Sequence, residues 1–249
     1  MPKPFYNMKL LSYILSPIFI VVFFLILVIF QPIQWLGLKL NGGKGHQFVV
    51  NLLNWTINKS LLILGVNIKV ENNQNLPEGE TLLFISNHQS MFDIPPIIWY
   101  FRKYWPKFVS KKELGKGIPS ISFNLRHGGA ALIDRKDRKQ ALTEMISFAK
   151  RINENKWSAV IFPEGTRARD GKPKKFATNG IKMLIKYNPD ALIVPLTINN
   201  SWKIFIYGKF PLGIGSPLTI KTHEPIKADS LPFEELIEKI ETTVKSAVN

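Results

Sequence analysis

The stretch "TLLFISNHQSMFDIPP", residues 81–96, passes from an apolar run into a polar turn and then into two prolines. The run "TLLFIS" is short and almost wholly apolar, which suits a buried strand. The turn behind it carries His88 and Asp93 with four residues between them. A carboxylate that reaches back to one imidazole nitrogen holds a single tautomer. It also stabilises the imidazolium that forms when the other nitrogen takes a proton. On a strand–loop–helix turn this spacing permits that reach. It equally permits a plain capping turn, with Asn87 or Asp93 at a helix start and His88 merely polar. Ser86 and Ser90 are the local nucleophiles if the pair serves a triad, but the chain holds no G-x-S-x-G elbow. The alternative is that His88 deprotonates a substrate hydroxyl, which then attacks an acyl group directly.

Outward from this turn the chain alternates. Strand-like runs are "VNIKVE", "TLLFIS", "PKFVS", "AALID", "SAVIFP", "ALIVPLTI" and "PLTIKT". Helix-like runs are "HQFVVNLLNWTINKSLLILG", "RKQALTEMISFAKRINEN" and "GIKMLIKY". Phe233, Leu236, Ile237, Ile240, Val244 and Val248 fall on one face of a further helix. The alternation predicts an α/β fold, a largely parallel sheet covered by helices on both faces. Charges cluster in "SKKELGKG", "DRKDRK" and "RARDGKPKK", each after a strand. Ligands of open α/β sheets bind beyond the carboxyl ends of strands, so these clusters are expected to converge on one edge.

The bulk numbers fit an anionic partner. The 249 residues carry 33 Lys and Arg against 18 Asp and Glu, a net charge of +15. Nucleic acid, an anionic membrane or a phosphorylated substrate would each complement it. No cysteine is present, which excludes disulfides, thiolate nucleophiles and Cys-based zinc sites. The four histidines, His46, His88, His127 and His223, are scattered without ligand spacing, so no metal is expected.

The N-terminus narrows the choice. No charged residue occurs from Leu10 to Leu38. At about 1.5 Å per residue the apolar core Leu10–Phe30 reaches ~31 Å as a helix, one hydrocarbon thickness. Residues 1–40 read as an uncleaved membrane anchor, and 41–249 as a second, α/β domain. Pro17 and Pro32 leave a kinked or re-entrant hairpin open beside a spanning helix. Lys3, Lys9, Lys39 and Lys44 flank both ends, so charge counting does not orient the segment. "NGGKG", residues 41–45, reads as a linker.

Further constellations follow other strands. In "AVIFPEGTRARDGK", Pro163 ends a buried run, Gly165 permits close backbone approach, Thr166 offers a hydroxyl and Arg167 a planar fork for a phosphate. A solvated loop would look the same. "GGAALIDRKDRK" sets Arg135 just after a strand, although Arg138 and Lys139 open the next helix. "VSKKELGKG" sets Lys111 and Lys112 after another. "ALIVPLTI" reads as core.

Taken in order, these blocks resemble the glycerophospholipid acyltransferases, most closely those acting on 1-acyl-glycerol-3-phosphate (lysophosphatidic acid). "NHQSMFD" is similar to that family's first block, "SKKEL" and "GGAALIDR" to its second region, "FPEGTR" to its third and "IVPLTI" to its fourth. The chain departs at "KPKKFATNGIKML", where many members carry a Phe-Lys-Lys-Gly-like stretch. The resemblance implies a glycerolphosphate acyltransferase-like fold with a membrane-embedded N-terminal segment. It implies transfer of a fatty acyl group from a thioester of coenzyme A or acyl carrier protein to the free hydroxyl of lysophosphatidic acid. Another lysophospholipid or glycerol 3-phosphate is the alternative acceptor. His88 would be the general base and Asp93 its orienting partner. Arg167 would hold the acceptor phosphate, with Arg135, Lys111 and Lys112 as further partners. Glu164, Gly165 and Thr166 would shape that loop or touch substrate. No metal and no resident cofactor are implied. An anionic membrane, with the catalytic domain on its cytoplasmic face, accounts for charge and apolar segment together.

Two rivals are weaker. A phosphate-ester hydrolase or phosphotransferase lacks a P-loop and a carboxylate cluster for magnesium. A membrane-tethered nucleic-acid binder would place its aromatics among Lys and Arg, whereas here they sit mostly in apolar runs. No nucleic-acid partner is therefore expected.

Overall fold

The apolar run at residues 82–86 is strand β2, and all five of its residues are buried. Successive side chains point to opposite faces of a sheet. Leu82 and Phe84 therefore enter one core, with Ile97 and Phe101, while Leu83 and Ile85 enter the other, with Phe148, Ile181 and Ile240. A strand buried on both faces cannot alternate polar and apolar residues, which is why β2 reads as a continuous apolar run. A computed structural model describes residues 4–249, so Lys3 and the first three residues of the N-terminal segment lie outside the described residues.

The strands are β1 (Ile68–Glu71), β2 (Leu82–Ser86), β3 (Pro106–Lys111), β4 (Ala131–Ile133), β5 (Ser158–Ile161), β6 (Leu192–Asn199), β7 (Leu218–Thr222) and β8 (Ile226–Lys227). They form one sheet in the order β1-β7-β6-β2-β5-β3-β4, with β8 paired to β6. From β6 to β4 every pairing is parallel. Strands β7 and β8 run antiparallel to β6. Helices α4 (Arg138–Asn155), α5 (Asn179–Tyr187) and α6 (Phe233–Ser246) cover one face. Short α2 (Ile94–Tyr100) and part of α1 (Pro4–Ser60) cover the other, and α3 (Ile121–His127) packs beside α1. The expected largely parallel α/β sheet with helices on both faces is the architecture observed.

Helix α1 departs from the expected linker. Pro17 and Pro32 lie inside it without ending it. The break falls at Asn41 and Gly42, where Gly42 has φ 54°, a conformation that favours glycine. The chain reverses there. Residues 43–60 run back along residues 26–40, with Gln34 bonded to His46 at 3.2 Å. Leu27 packs in one cluster with Leu53 and Ile57. The reversal is tight because Gly37 and Gly45 have no side chains: a Cβ on Gly45 would lie only 2.3 Å from the Gly37 carbonyl oxygen. "NGGKG" is thus the turn of a helical hairpin.

The hairpin docks on the α/β body. Phe19 and Phe23 both pack edge-on against Phe92. Ser120 donates its hydroxyl to the Leu27 carbonyl at 2.6 Å, and the Leu212 N–H donates to the Ser16 hydroxyl. On the outer side Ile14, Ile18, Val21, Leu25 and Val28 are exposed, a helical stripe of apolar side chains with no partner among the described residues. The segment is long and apolar enough to cross a membrane.

Candidate active site

His88 and Asp93 meet at the carboxyl end of β2. The His88 Nδ1 lies 2.7 Å from Asp93 Oδ2. The same oxygen accepts the backbone N–H groups of Gln89 at 2.7 Å and Ser90 at 3.0 Å. Its partner Oδ1 accepts the hydroxyls of Ser90 and Ser201. Asp93 is completely buried, and a buried carboxylate is stable only when its lone pairs are filled in this way. The Ser90 hydroxyl meanwhile accepts the Phe92 N–H, completing a capping box with Asp93. Capping and histidine orientation are therefore one hydrogen-bond network rather than alternatives. With Nδ1 donating to Asp93, Nε2 is the basic nitrogen of His88 and makes no hydrogen bond among the described residues.

The two local serines are engaged inward. Ser86 is buried and donates to the Asn87 carbonyl, and Ser90 is buried in the capping box. The Asn87 side chain bonds both N–H and C=O of Ile198, which ties the His88 turn to β6.

The loop after β5 closes over this turn. Gly165 has φ +69° and donates its N–H to the Phe162 carbonyl, a turn that requires glycine. Glu164 Oε1 accepts the His88 N–H at 2.9 Å and Oε2 accepts the Lys174 N–H at 3.1 Å. Burial raises its pKa, and the two backbone N–H bonds oppose that rise. Ala168 adds a backbone bond to the His88 carbonyl at 2.7 Å. Lys174 bonds the Thr166 hydroxyl and the Arg167 carbonyl. Arg135 reaches across from the end of β4 to the Gly165 carbonyl. Glu164 thus clips the loops of His88 and Arg167 together, and Arg135 and Lys174 brace the second of them.

One groove of about 1340 Å³ opens over these loops. His88, Lys111, Arg135, Gly165, Thr166 and Arg167 all line it, as do Arg138, Arg169, Lys174 and Lys182. Lys112 does not; it begins the short turn after β3 with its side chain exposed. The basic clusters converge on one sheet edge because each follows a parallel strand, whose carboxyl ends lie together. Arg167 is exposed at the groove. Desolvation lowers its pKa, the Asp93 carboxylate opposes this and Arg169 adds to it, so its guanidinium lies within electrostatic range of the His88–Asp93 pair.

Sequence reasoning missed Ser201, Phe162 and Lys174 as parts of the site. Ser201 follows β6, and the rule that drew attention to the other strand ends could have flagged it. Phe162 stacks on His88 with ring centroids 4.2 Å apart, a contact that no local pattern announces.

The family model described as Acyltransferase matches residues 67–199. A 1-acyl-sn-glycerol-3-phosphate acyltransferase of Borreliella burgdorferi is 27% identical over 193 residues, covering 74% of this chain and 75% of the relative. One from Helicobacter pylori is 35% identical over 126 residues, covering 49% of this chain and 50% of its own length. The crystal structure of the 1-acyl-sn-glycerophosphate acyltransferase PlsC from Thermotoga maritima superposes with a TM-score of 0.75 at 24% identity. It covers 96% of this chain and 93% of that one. At that identity the superposition speaks for the fold alone.

Proposed function

The chain belongs to the Acyltransferase family, and from that membership we propose that it moves a fatty acyl group from an acyl thioester to the free hydroxyl of lysophosphatidic acid, forming phosphatidic acid at a membrane. The observation that carries this reading is the His88–Asp93 pair, at 2.7 Å, opening into a groove lined by Arg167, Arg135 and Lys111. Nε2 of His88 takes the proton of the acceptor hydroxyl as its oxygen attacks the thioester carbonyl. The imidazolium is stabilised by Asp93. When the tetrahedral intermediate collapses, the C–S bond breaks and the departing thiolate receives the proton back from His88. No protein nucleophile is required, which agrees with the inward engagement of Ser86 and Ser90. Arg167 binds the acceptor phosphate through charge-assisted hydrogen bonds. The unpartnered apolar stripe of α1 supports anchoring, and the chain reversal at Asn41–Gly42 favours a hairpin that enters one side of the bilayer over a single spanning helix.

The test is to incubate purified protein with a panel of lysophospholipids and glycerol 3-phosphate plus two kinds of acyl thioester, and to weigh the lipid product. Phosphatidic acid from lysophosphatidic acid is expected. His88→Ala is expected to lower kcat ~10²–10⁴-fold with acceptor binding retained. A covalent acyl-enzyme on Ser86 or Ser90 would overturn direct attack.

A further inference from the structure

Asn200, just after β6, has a left-handed backbone with φ 68°, which asparagine adopts more readily than most residues. The chain reverses there, and the short helical turn Ser201–Phe205 follows. Its first two residues reach the loops that follow β2 and β5. Ser201 donates to Asp93. Trp202 meets the loop that carries Arg167: a Cβ on Gly171 would lie 2.8 Å from Cδ1 of the indole and 2.9 Å from Cε2, and closer still to Nε1. Gly171 also has φ +79°. Backbone conformation and space thus require glycine here for separate reasons.

Gly171 closes the turn Ala168–Gly171 by donating its N–H to the Ala168 carbonyl at 3.2 Å. This turn begins at the residue after Arg167. On one side it is tied to the His88 segment: Ala168 donates its N–H to the His88 carbonyl at 2.7 Å, and Gln89 Nε2 donates to the Gly171 carbonyl at 3.4 Å. On the other side stands the indole of Trp202. Its Nε1 is buried and makes no hydrogen bond among the described residues, so the ring bears on the turn by packing and not as a donor. Arg167 itself is exposed at the groove. The place of its guanidinium therefore depends on how the backbone beside it is held.

We infer that Trp202 is a positioning residue for acyl transfer: its indole holds the Gly171 turn in place and so sets where Arg167 meets the acceptor phosphate. This rests on the acyl-transfer reading above, with Arg167 on the phosphate. Ser201 and Trp202 are adjacent in the chain. One fixes Asp93 behind the base, and the other fixes the loop of the phosphate-binding arginine. Base and arginine are thereby held to a common reference. Their separation has to match that between the hydroxyl and the phosphate of one acceptor molecule. A smaller side chain at Trp202 leaves a gap into which the turn moves, and a methyl group on Gly171 forces turn and indole apart.

The experiment measures kcat/KM of the full-length protein, Trp202→Leu, Trp202→Phe and Gly171→Ala in mixed micelles, on lysophosphatidic acid and on monoacylglycerol with one thioester. The ratio of the first acceptor to the second is expected to fall roughly tenfold in Trp202→Leu, within the ~10²-fold that misplacement by about 1 Å can cost. The fall should come mainly from a higher KM for lysophosphatidic acid. Trp202→Phe keeps a ring against Gly171 and should recover most of the ratio. Gly171→Ala should lower it, and carries the test from the other side of the contact if Trp202→Leu does not fold. In an Arg167→Ala background, Trp202→Leu should lower the ratio no further. Limited trypsin digestion reads the same turn without turnover: cleavage between Arg167 and Lys175, relative to cleavage elsewhere, should be faster in Trp202→Leu than in the parent. Equal losses on both acceptors would show that Trp202 only supports Asp93 through Ser201, and would overturn the inference. An unmoved ratio, or a further fall in the Arg167→Ala background, would overturn it as well, while leaving acyl transfer intact. Absence of transfer to lysophosphatidic acid by the parent would defeat the acyl-transfer reading, whereas trypsin cleavage at the parent rate would defeat the role of Trp202 by itself.

Discussion

Phe162 lies flat against the imidazole of His88, with ring centroids 4.2 Å apart and planes 15° from parallel. Phe108 supports it from the side, 6.3 Å away. The stack limits ring rotation about the Asp93 hydrogen bond and presents an aromatic face to the imidazolium formed during turnover.

Phe162→Leu keeps an apolar side chain but removes the aromatic face. At roughly 0.5–2 kcal/mol for such a contact, kcat is expected to fall about 2- to 30-fold with both KM values little changed. Phe162→Tyr should restore most of it. Equal losses in the two variants would show that shape, not the aromatic face, matters.

Ser201→Ala removes one donor from the buried Asp93 carboxylate, leaving the bonds from His88, Gln89 and Ser90. A hydrogen bond to a charged group contributes about 1.5–3 kcal/mol, so the melting temperature should drop measurably. The variant should retain more turnover than His88→Ala, because the base itself survives. Thermal melts alongside steady-state kinetics check both halves.

Arg167 and Arg135 are expected to differ. Arg167→Ala should raise KM for lysophosphatidic acid roughly 10- to 150-fold with the donor KM nearly constant, from about 1.5–3 kcal/mol of lost charge-assisted bonding. Arg167→Lys should recover only part, because a point charge does not replace the planar fork. Arg135 bonds the Gly165 carbonyl, so Arg135→Ala should loosen the loop and impair a phosphate-free acceptor such as a monoacylglycerol as well. Arg167→Ala should be no worse than the parent on that acceptor.

Lys107 supplies a pH dependence of stability. It is buried in β3, donates to Gln47 Oε1 at 2.5 Å and lies over the Trp157 ring. Burial lowers its pKa to about 7. In the unfolded chain the ammonium keeps its proton up to about pH 10. Between those values the unfolded state binds more protons, so this group's contribution to stability rises as pH increases from about 7 to about 10. Below that window the folded state carries the full cost of a buried charge. Lys107→Met removes the cost. Its melting temperature in detergent should exceed the parent's most at about pH 7, with the gap closing towards about pH 10. A constant gap would mean that Lys107 does not titrate in this window.

Strands β2, β3, β5 and β6 and helix α4 were legible because their signals are local: run length for buried strands and a repeating apolar face for the helix. Helix α2 is not among the helix-like runs, although the capping reading puts a helix start at Asp93; its Pro95 and Pro96 are tolerated because they fall at its first positions. The turn at residues 41–45 reads as a linker until Gly37 is known to lie against Gly45. Glycine signals freedom in a sequence and close approach in a packed pair, and only the neighbour distinguishes the two.

The residues of this chain alone determined the α/β class, the apolar N-terminal segment, His88 and Asp93 as a candidate pair, and the gathering of basic residues at strand ends. Each follows from periodicity, composition or a short span of backbone. Tertiary structure decided that Ser201, 108 residues from Asp93, donates to its carboxylate, and that Arg135 braces the Gly165 loop. It also decided that Lys111 lines the groove while Lys112 does not. These depend on which strands lie side by side and which way a loop turns, and parallel strands are joined by connections long enough that sequence distance carries no information about contact.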